Sequence, residues 1–386
     1  MTTLDTTPAA DPTELGIDTD ALAALVERAQ ADINAGIVPS CQIALARDGR
    51  VAASVTLGAA APESRYVIFS STKPVIASAM WILIGEGAID VGKRVAEYIP
   101  EFGTNGKEVI TVEQVMLHTS GFPHAPFLAA QWDDRAARLG RFGAWRCNWE
   151  PGTRFEYHPT SAHWVLAELI ERASGRDFRE YVRAEVLTPL GLTRLQIGVA
   201  PADQGDINEL VLTGEPTPTE VLQELLGIDA WPVTEVTPEA LISFNQPTVR
   251  GVGVPGGGGI STAAELALFY QGLLHNPAGI WKGEVLDDAK TVVRNNKKDW
   301  LRTPANRTLG LVLAGDDGRS NMRGMGRTVS PQSFGHNGAG GQIAWADPTT
   351  GLSFAYLTNG LDQDQIRQSR RTTALASRAA VCVAAG

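Results

Sequence analysis

The chain has 386 residues and a formal net charge of −10, with 44% hydrophobic and 20% charged residues. This length and balance are typical of a globular protein with one large domain or two intertwined ones. Because the charge is acidic and no run of Lys and Arg is present, the sequence argues against nucleic acid and against an anionic membrane surface as partners.

Two further features bear on cellular context and cofactors. Cys41, Cys147 and Cys382 have no CxxC spacing, and no two histidines have HxxxH or HExxH spacing, which disfavours a disulfide framework or a metal site. The opening MTTLDTTPAADPTELG lacks the basic and apolar regions of a signal peptide, and no apolar run is long enough to span a bilayer. We therefore expect a reduced, cytoplasmic protein that uses no metal or other cofactor.

The first quarter of the chain predicts a disordered start, a helix, a hairpin and a second helix. Residues 1–14 are small and polar, which predicts disorder, and an amphipathic helix follows. The segment CQIALARDGRVAASVTLG predicts two strands joined at Asp48 and Gly49, residues that accept the positive φ of a type I′ turn. From Val75 to Ile84 nearly every residue is apolar, which predicts a helix buried on all sides.

The middle and the end of the chain have different patterns. Residues 90–255 are mostly helical in pattern, and the proline-rich part after residue 200 predicts either a substrate-side loop region or an irregular crossover. GGQIAWADPTTGLSFAYLTNG predicts two alternating strands, and a helix is predicted from Gln365 to Ala385. Strands at both ends predict an α+β fold, with a sheet built from both termini and an inserted helical lobe. The predicted domains are 15–90 with 256–386 for the sheet, and 91–255 for the helical lobe with its substrate-side loops.

The stretch VIFSSTKPVIASAM carries the first sign of chemistry. Ser70 and Lys73 are three residues apart and share one face of a helix, whereas Ser71 points elsewhere. A serine N-cap followed by an ordinary lysine is the alternative explanation. However, Lys73 begins the most apolar helix, and burial lowers the pKa of a lysine towards neutrality. Pro74 opposes this interpretation, because it biases Lys73 away from helical geometry.

With this motif, the chain resembles the serine β-lactamase and penicillin-binding-protein superfamily, and within it the class C β-lactamase-like group that contains family VIII esterases. The resemblance extends from about residue 35 to 360. It rests on six blocks in the family's order: FSSTK for S-x-x-K, GEGAIDVGKRVAEYIPEF, VMLHTSGFP for LLxHTSG, NWEPGTRFEYHPTSAHWVLAELIERASG, GGGGISTAAELALF and FGHNGAGGQIAWADP. It implies a β-lactamase-like fold, in which helices flank an antiparallel sheet.

The resemblance also implies roles for three residues. Ser70 would be the acylated nucleophile, Lys73 would help to deprotonate it, and Tyr157 would pass a proton to the leaving group and activate the deacylating water. A phenol beside an ammonium can be held partly as phenolate and act as a general base. A buried core tyrosine with a hydrogen-bonded hydroxyl is the alternative for Tyr157.

A second set of implied residues follows near the end of the chain. His336, Asn337 and Gly338 stand where β-lactamases carry Lys-Thr-Gly, and they would contact the substrate. Gly338 would let the substrate approach the backbone closely. The N–H groups of Ala339 and Ser70 would form the oxyanion hole. A flexible glycine-rich turn is the alternative for this segment.

Two departures from the family bear on the substrate. His336 replaces the lysine that holds a β-lactam carboxylate and is largely neutral at pH 7. Pro159 replaces the asparagine of Tyr-x-Asn, which contacts the amide side chain. We therefore expect a serine hydrolase that acts through an acyl-enzyme, and above all a carboxylesterase on small or medium acyl esters. A β-lactamase, a D-amino-acid peptidase or amide hydrolase, an acyltransferase and a catalytically idle binding relative stay open as alternatives.

Tryptophans supply the remaining candidates for substrate binding. Trp145, Trp149 and Trp231 are candidates for the wall of an acyl pocket, and Trp231 is the one assigned to substrate binding, although core positions explain tryptophans in a helical lobe at least as well. The expected partner is a small-molecule ester or amide, and the sequence sets no oligomeric state.

Overall fold

A computed structural model describes residues 4–383. The strands are β1 (Ser40–Arg47), β2 (Arg50–Gly58), β3 (Tyr66–Val67), β4 (Gln196–Ile197), β5 (Val211–Thr213), β6 (Gly259–Ser261), β7 (Val312–Leu313), β8 (Phe334–Gly335), β9 (Ile343–Asp347), β10 (Leu352–Thr358) and β11 (Gly360–Asp362). The α-helices are α1 (Thr19–Asn34), α2 (Lys73–Gly85), α3 (Val95–Tyr98), α4 (Val112–Met116), α5 (Arg135–Ala144), α6 (Ser161–Ser174), α7 (Phe178–Val182), α8 (Thr219–Leu226), α9 (Pro238–Ile242), α10 (Pro247–Val252), α11 (Ala263–His275), α12 (Gly283–Thr291) and α13 (Gln365–Ala380).

The central sheet joins the two ends of the chain. Within residues 4–383 it has six strands in the order β2-β1-β10-β9-β8-β7, and each neighbouring pair is antiparallel. Strand β1 lies beside β10, with Cys41 opposite Thr358 and Arg47 opposite Leu352. The α+β fold with a sheet built from both termini is therefore confirmed.

The hairpin between β1 and β2 has the predicted turn. Asp48 and Gly49 both adopt positive φ, 53° and 77°, as a type I′ turn requires. This turn matches the right-handed twist of the flanking strands, so it sets the register of the hairpin.

The two faces of the sheet pack against different helices. Ile43 and Leu45 of β1 belong to one buried cluster together with residues of α1 and α13, whereas Ala44 and Ala46 point to the other face, on which α11 packs. This alternation follows from the two-residue period of a strand. The small alanines on the second face leave room for α11 to lie close to the sheet.

Helix α2 lies inside the protein, as predicted. Its residues from Lys73 to Leu83 are all buried. A single hydrophobic cluster includes residues of α11, α2 and α6, so the sheet and the helical part share one core. The division of the chain at residues 90 and 255 stays a prediction.

Both ends of the chain differ from the sequence prediction. Residues 4–14, for which disorder was predicted, lie along β2: the Asp5 N–H donates to Gly49 O and the Ala9 N–H donates to Val51 O, each at 2.9 Å. Strand β2 is the edge of the sheet, and its free backbone groups accept such contacts. Helix α13 ends at Ala380, not at Ala385, and residues 384–386 lie outside the described part of the chain. No helix between residues 4 and 383 is long and apolar enough to cross a lipid bilayer.

Candidate active site

The turn that carries Ser70 leads directly into α2. Residues Phe69–Thr72 form a 3₁₀ turn and α2 begins at Lys73, whose φ and ψ of −57° and −44° are helical. In a 3₁₀ turn the side chains at i and i+3 eclipse each other, and the Lys73 Nζ donates to the Ser70 Oγ at 3.1 Å. Pro74 sits in the first helical turn, where a missing N–H costs no helical hydrogen bond.

Backbone strain lies immediately before Ser70. Phe69 has a φ of 43°, in the left-handed region that non-glycine residues rarely adopt. This conformation costs about 1–2 kcal/mol, and tight packing is needed to hold it. The Phe69 ring is buried and meets the ring of Phe244 edge-on at a centroid distance of 5.3 Å. This packing fixes the direction in which the side chain of Ser70 points.

Lys73 is a buried amine held by backbone carbonyls. It is 1% exposed, and its Nζ donates to Pro159 O at 2.7 Å and to Gly256 O at 2.6 Å, in addition to Ser70. Burial lowers the pKa of Lys73, while the nearby Tyr157 opposes this shift. The ammonium donates all three of these hydrogen bonds. In the neutral amine, which burial favours, the two N–H groups can stay on the carbonyls while the lone pair faces the Ser70 hydroxyl.

Tyr157, which lies in the segment before α6, contacts the same hydroxyl. Its Oη donates to the Ser70 Oγ at 2.9 Å, and the Lys73 Nζ lies 5.0 Å from the centroid of its ring. The next residue is anchored as well, because the His158 N–H donates to the His118 Nδ1 at 3.1 Å. The structure thus brings together Ser70, Lys73 and Tyr157, which are up to 87 positions apart in the chain.

The His336 segment closes another side of the site. The Ser71 Oγ donates to His336 O at 2.9 Å, which ties the turn that carries Ser70 to the end of β8. Ala339 and Ser70 line the same cavity. A side chain at Gly338 would come within 2.4 Å of Ile68 O. The glycine is therefore required for packing of the segment against the turn before Ser70, a reason different from the predicted approach of substrate.

Arg307 is a site residue that the sequence reasoning missed. Its Nη1 donates to the His336 Nε2 at 3.4 Å, and its guanidinium carbon lies 5.1 Å from the ring centroid of Tyr157. Within residues 4–383 it forms no salt bridge, and burial lowers its pKa. Burial and the charge of Arg307 together lower the pKa of His336 well below its usual value. The positively charged Arg307 therefore lies beside His336, which replaces the family lysine. No local pattern in the sequence ANRTLGLVL indicates that Arg307 belongs to the site.

Glu235 is a second residue that was missed. Its Oε1 accepts hydrogen bonds from the N–H and the hydroxyl of Thr160, both at 2.8 Å. Burial raises the pKa of Glu235, and the charge of Lys73 opposes this shift. The loop that carries it supplies a wall of the site, as one of the two interpretations of the region after residue 200 expected.

Two cavities meet at Tyr157. The first has a volume of about 910 Å³, contains Ser70, and has apolar walls that include Phe127, Trp164 and Leu241. The second has a volume of about 680 Å³ and shares Tyr157 with the first as a lining residue. Four residues line both cavities at this junction besides Tyr157, namely Pro159, Val236, Arg307 and Asn337.

The predicted tryptophans do not line the site. Trp231 is absent from the residues that line these cavities, and its ring packs edge-on against Trp300 at a centroid distance of 6.1 Å. Trp145 is buried in the main hydrophobic cluster. The structure therefore gives no support to substrate binding by Trp231, because the ring packs against Trp300 and lines neither cavity. Trp164, on α6, lines the first cavity instead.

Histidines near the site are not arranged as metal ligands. In the described part of the chain, no group of three or more His, Cys, Asp or Glu side chains has a metal-binding arrangement. His118, His158 and His163 are buried, and burial lowers the pKa of each ring. The His118 ring centroid lies 4.9 Å from that of Tyr157, and the rings of His158 and His163 pack against His118 at 5.7 Å and 5.9 Å.

An α+β fold with a serine, a lysine and a tyrosine meeting at one hydroxyl defines a class of serine hydrolases. The family model described as Beta-lactamase matches residues 22–378. An esterase/beta-lactamase named LipL from Mycobacterium tuberculosis is 30% identical over 312 residues, which cover 78% of this chain and 70% of the relative. The chain therefore belongs to the β-lactamase family of serine hydrolases.

Solved structures share this fold over nearly the whole chain. A penicillin-binding protein homologue from Caulobacter crescentus has a TM-score of 0.76 and 25% identity, and the alignment covers 95% of this chain and 99% of the other. A family VIII carboxylesterase has a TM-score of 0.74 and 23% identity, with the same coverage. The β-lactamase-like fold that the sequence predicted is confirmed.

Proposed function

We propose that the protein is a carboxylesterase that acts on small or medium acyl esters through an acyl-enzyme on Ser70. The observation that carries this proposal is the position of the Ser70 Oγ, 3.1 Å from the Lys73 Nζ and 2.9 Å from the Tyr157 Oη, in a largely apolar cavity of about 910 Å³. A nucleophile within hydrogen-bond reach of its bases is the arrangement that acyl transfer requires.

The acylation step uses the three side chains in turn. The neutral amine of Lys73 accepts the Ser70 proton as the Oγ bonds to the ester carbonyl carbon. The carbonyl oxygen becomes an oxyanion, which the N–H groups of Ser70 and Ala339 would stabilise; one such donor is worth about 3–4 kcal/mol of barrier. When the bond to the alcohol oxygen breaks, Tyr157 gives that oxygen a proton.

Deacylation reverses the roles with water as the nucleophile. Tyr157, having lost its proton, takes one from a water that attacks the acyl carbon, and Ser70 leaves as the protonated hydroxyl. The buried Lys73 remains beside both oxygens, so a proton can pass between the three groups without leaving the site.

The cavity supports an apolar acyl group. Phe127, Trp164 and Leu241 offer it an apolar surface, and burial of such an acyl chain contributes about 0.8 kcal/mol per methylene. His336 carries no charge to hold a substrate carboxylate. The similarity to an esterase/beta-lactamase and to a family VIII carboxylesterase agrees with an ester substrate.

Arg307 favours a second candidate, a β-lactamase or D-amino-acid peptidase activity. Its guanidinium, which has no carboxylate partner in residues 4–383, lies beside His336 and offers a positive charge to a substrate carboxylate. Turnover of a chromogenic cephalosporin at a rate comparable to that of an ester would establish this candidate over the first.

Ester hydrolysis and adduct mapping test the proposal together. The parent protein should release nitrophenol from p-nitrophenyl butyrate, and mass spectrometry of the quenched protein should locate a butyryl group on Ser70. Ser70→Ala should abolish both signals. Ser78→Ala is the matched control, because the Ser78 Oγ only donates to Val75 O within the same helix. An adduct on Ser71, or no release by the parent protein, would refute the proposal.

A further inference from the structure

The second cavity is continuous with the active site but has no part in the chemistry described so far. It contains Tyr157 and Arg307 but not Ser70, whereas the first cavity contains all three. Val236 lines both, so the loop before α9 separates the two spaces at their junction. A substrate bound at Ser70 therefore has two cavities into which it can extend, and Tyr157 lines both.

The proposed role of Tyr157 indicates which cavity holds the acyl group of an ester and which holds its alcohol portion. The oxygen that leaves must lie within hydrogen-bond reach of the phenol that protonates it, about 2.6–3.2 Å. The acyl carbon must lie against Ser70, with its oxygen near the Ala339 N–H. The acyl group therefore occupies the cavity that holds Ser70 and Ala339. The alcohol portion extends past Tyr157 into the second cavity.

The wall of the second cavity tells which alcohols fit. Val233, Trp300 and Met322 line it although they are 93%, 51% and 44% exposed. Large apolar side chains that are grouped around one opening mark a surface that an apolar ligand covers. Trp231 lines neither cavity but packs edge-on against Trp300, which holds the Trp300 ring in place.

Ionic groups at the same wall are mostly neutralised within the protein. Arg154 pairs with Glu156 at 2.6 Å, and Arg323 pairs with Asp317. Lys298 is exposed and Arg307 lies at the junction, stacked on Phe155 at 5.5 Å from the ring centroid. Apart from Lys298, Asp299 and Arg307, the apolar groups at the opening are the part of the wall that is left to contact a ligand.

We propose that the second cavity is the alcohol subsite and that it selects esters of aromatic or branched apolar alcohols. The proposal rests on the proposed carboxylesterase function. It also has a consequence for the acyl-enzyme, because an alcohol bound there competes with water. When the acyl group is transferred to this alcohol, the alcohol oxygen bonds to the acyl carbon and its proton passes to Tyr157. The bond to the Ser70 Oγ then breaks, and Ser70 regains a proton. A new ester is formed.

Esters that share the acyl group but differ in the alcohol test the subsite. Ethyl butyrate and benzyl butyrate present the same acyl chain, and the parent protein should favour the benzyl ester by about tenfold in kcat/KM. Trp300→Ala should reduce this ratio to about twofold or less, through a larger fall in kcat/KM for benzyl butyrate than for ethyl butyrate. Val233→Ser, at a 93% exposed position, should shift the ratio in the same direction.

Leu128→Ala is the matched control on the acyl side. Leu128 is 64% exposed and lines only the cavity that contains Ser70. Its removal should alter the preference between acetyl and hexanoyl esters and leave the benzyl-to-ethyl ratio within about twofold. A benzyl-to-ethyl ratio that responds to Leu128 and not to Trp300 would reverse the assignment of the two cavities and overturn the proposal.

Partitioning of the acyl-enzyme gives a second, independent measurement. With p-nitrophenyl butyrate and added benzyl alcohol, the parent protein should form benzyl butyrate, and Trp300→Ala should lower the ratio of transfer to hydrolysis several-fold. Equal ratios in both proteins, with normal nitrophenol release, would refute the alcohol subsite alone. If nitrophenol is not released and Ser70 is not acylated, the carboxylesterase function itself fails, and the subsite fails with it.

Discussion

Two buried lysines, Lys73 and Lys107, have nearly the same immediate contacts. The Lys107 Nζ donates to Thr104 O at 2.8 Å, to the Thr104 Oγ1 at 3.2 Å and to Trp145 O at 2.6 Å, and it lies 5.2 Å from the ring centroid of Phe102. Lys73 likewise contacts two carbonyls, one hydroxyl and one aromatic ring. Burial lowers the pKa of both amines.

The difference lies in the hydroxyl and the ring. The Thr104 Oγ1 donates to Gly143 O at 2.7 Å, and Phe102 has no polar group. By contrast, the Ser70 hydroxyl opens into a cavity of about 910 Å³, and Tyr157 adds a second proton donor to it. Burial of a lysine alone therefore does not define a catalytic amine. A catalytic amine must also contact an accessible nucleophilic hydroxyl, and a second acid or base must contact the same hydroxyl.

Removal of Lys73 should reduce activity, whereas removal of Lys107 should reduce stability. The loss of activity is the largest effect that we expect. Lys73→Met should lower kcat/KM for p-nitrophenyl butyrate by about 10³–10⁴-fold, because the base for Ser70 is lost. Lys107→Met should leave kcat/KM within about threefold but lower the free energy of unfolding by about 1–3 kcal/mol, since two buried carbonyls lose their donor. Steady-state kinetics and urea unfolding of both variants measure the two outcomes. Loss of activity in Lys107→Met at normal stability would contradict the comparison.

The phenol of Tyr157 should matter less than the amine of Lys73 but more than the hydroxyl of any other tyrosine. Tyr157→Phe keeps the ring beside Lys73 and removes only the Oη that donates to Ser70, so kcat should fall by about 10²–10³-fold. Tyr181→Phe is the control, because Tyr181 lies on α7 away from both cavities. Phe102 beside Lys107 already provides an aromatic ring without a hydroxyl next to a buried lysine. If Tyr157→Phe retains most of the activity, the distinction between the two lysines rests on the cavity alone.

The parts of this comparison were not equally predictable from sequence. The three-residue spacing of Ser70 and Lys73 is local, and a 3₁₀ turn or a helix brings the side chains together in either case. Tyr157 was reached only through the resemblance to a family, because no spacing rule links residues 87 positions apart. Arg307 and Glu235 come from irregular segments whose positions depend on long-range packing, so no periodicity or motif marked them.

The fold shows the same division between local and long-range information. Alternation in β1 and β10 and the turn at Asp48 and Gly49 were readable, since strand period and turn chemistry are local. The pairing of residues 4–14 with the edge of β2 was not, because composition alone favoured disorder. Likewise, the left-handed φ of Phe69 has no signal in the letters FSSTK. It is imposed by the packing of the turn against β6 and the His336 segment.

The pH dependence should separate the two lysines by the property that responds. Burial lowers the pKa of Lys73, so kcat/KM should rise with pH as its ammonium loses a proton, with a midpoint below 10.5. For Lys107, the unfolded chain holds the proton at pH values where the folded protein has lost it. Between its lowered pKa and 10.5, the free energy of unfolding should therefore rise with pH. Lys107→Met should flatten this slope of stability and leave the activity profile unmoved.

The smallest expected effect concerns the charges around Lys73, and it has opposite signs for two substitutions. The carboxylate of Glu235 raises the pKa of Lys73, whereas the guanidinium of Arg307 lowers it. Glu235→Gln should therefore move the midpoint of the activity profile to lower pH, and Arg307→Gln should move it to higher pH. Glu239→Gln, in the same segment but exposed, is the control for Glu235.

Opposite displacements would identify the titrating group as one that lies between the two charges, as Lys73 does. Since Lys107 lies in another part of the structure, a group there would respond to neither substitution. A profile that moves in the same direction for both variants, or for neither, would mean that another group sets the pH dependence. In that case the lowered pKa of Lys73 would be, like that of Lys107, a property of burial without a role in the reaction.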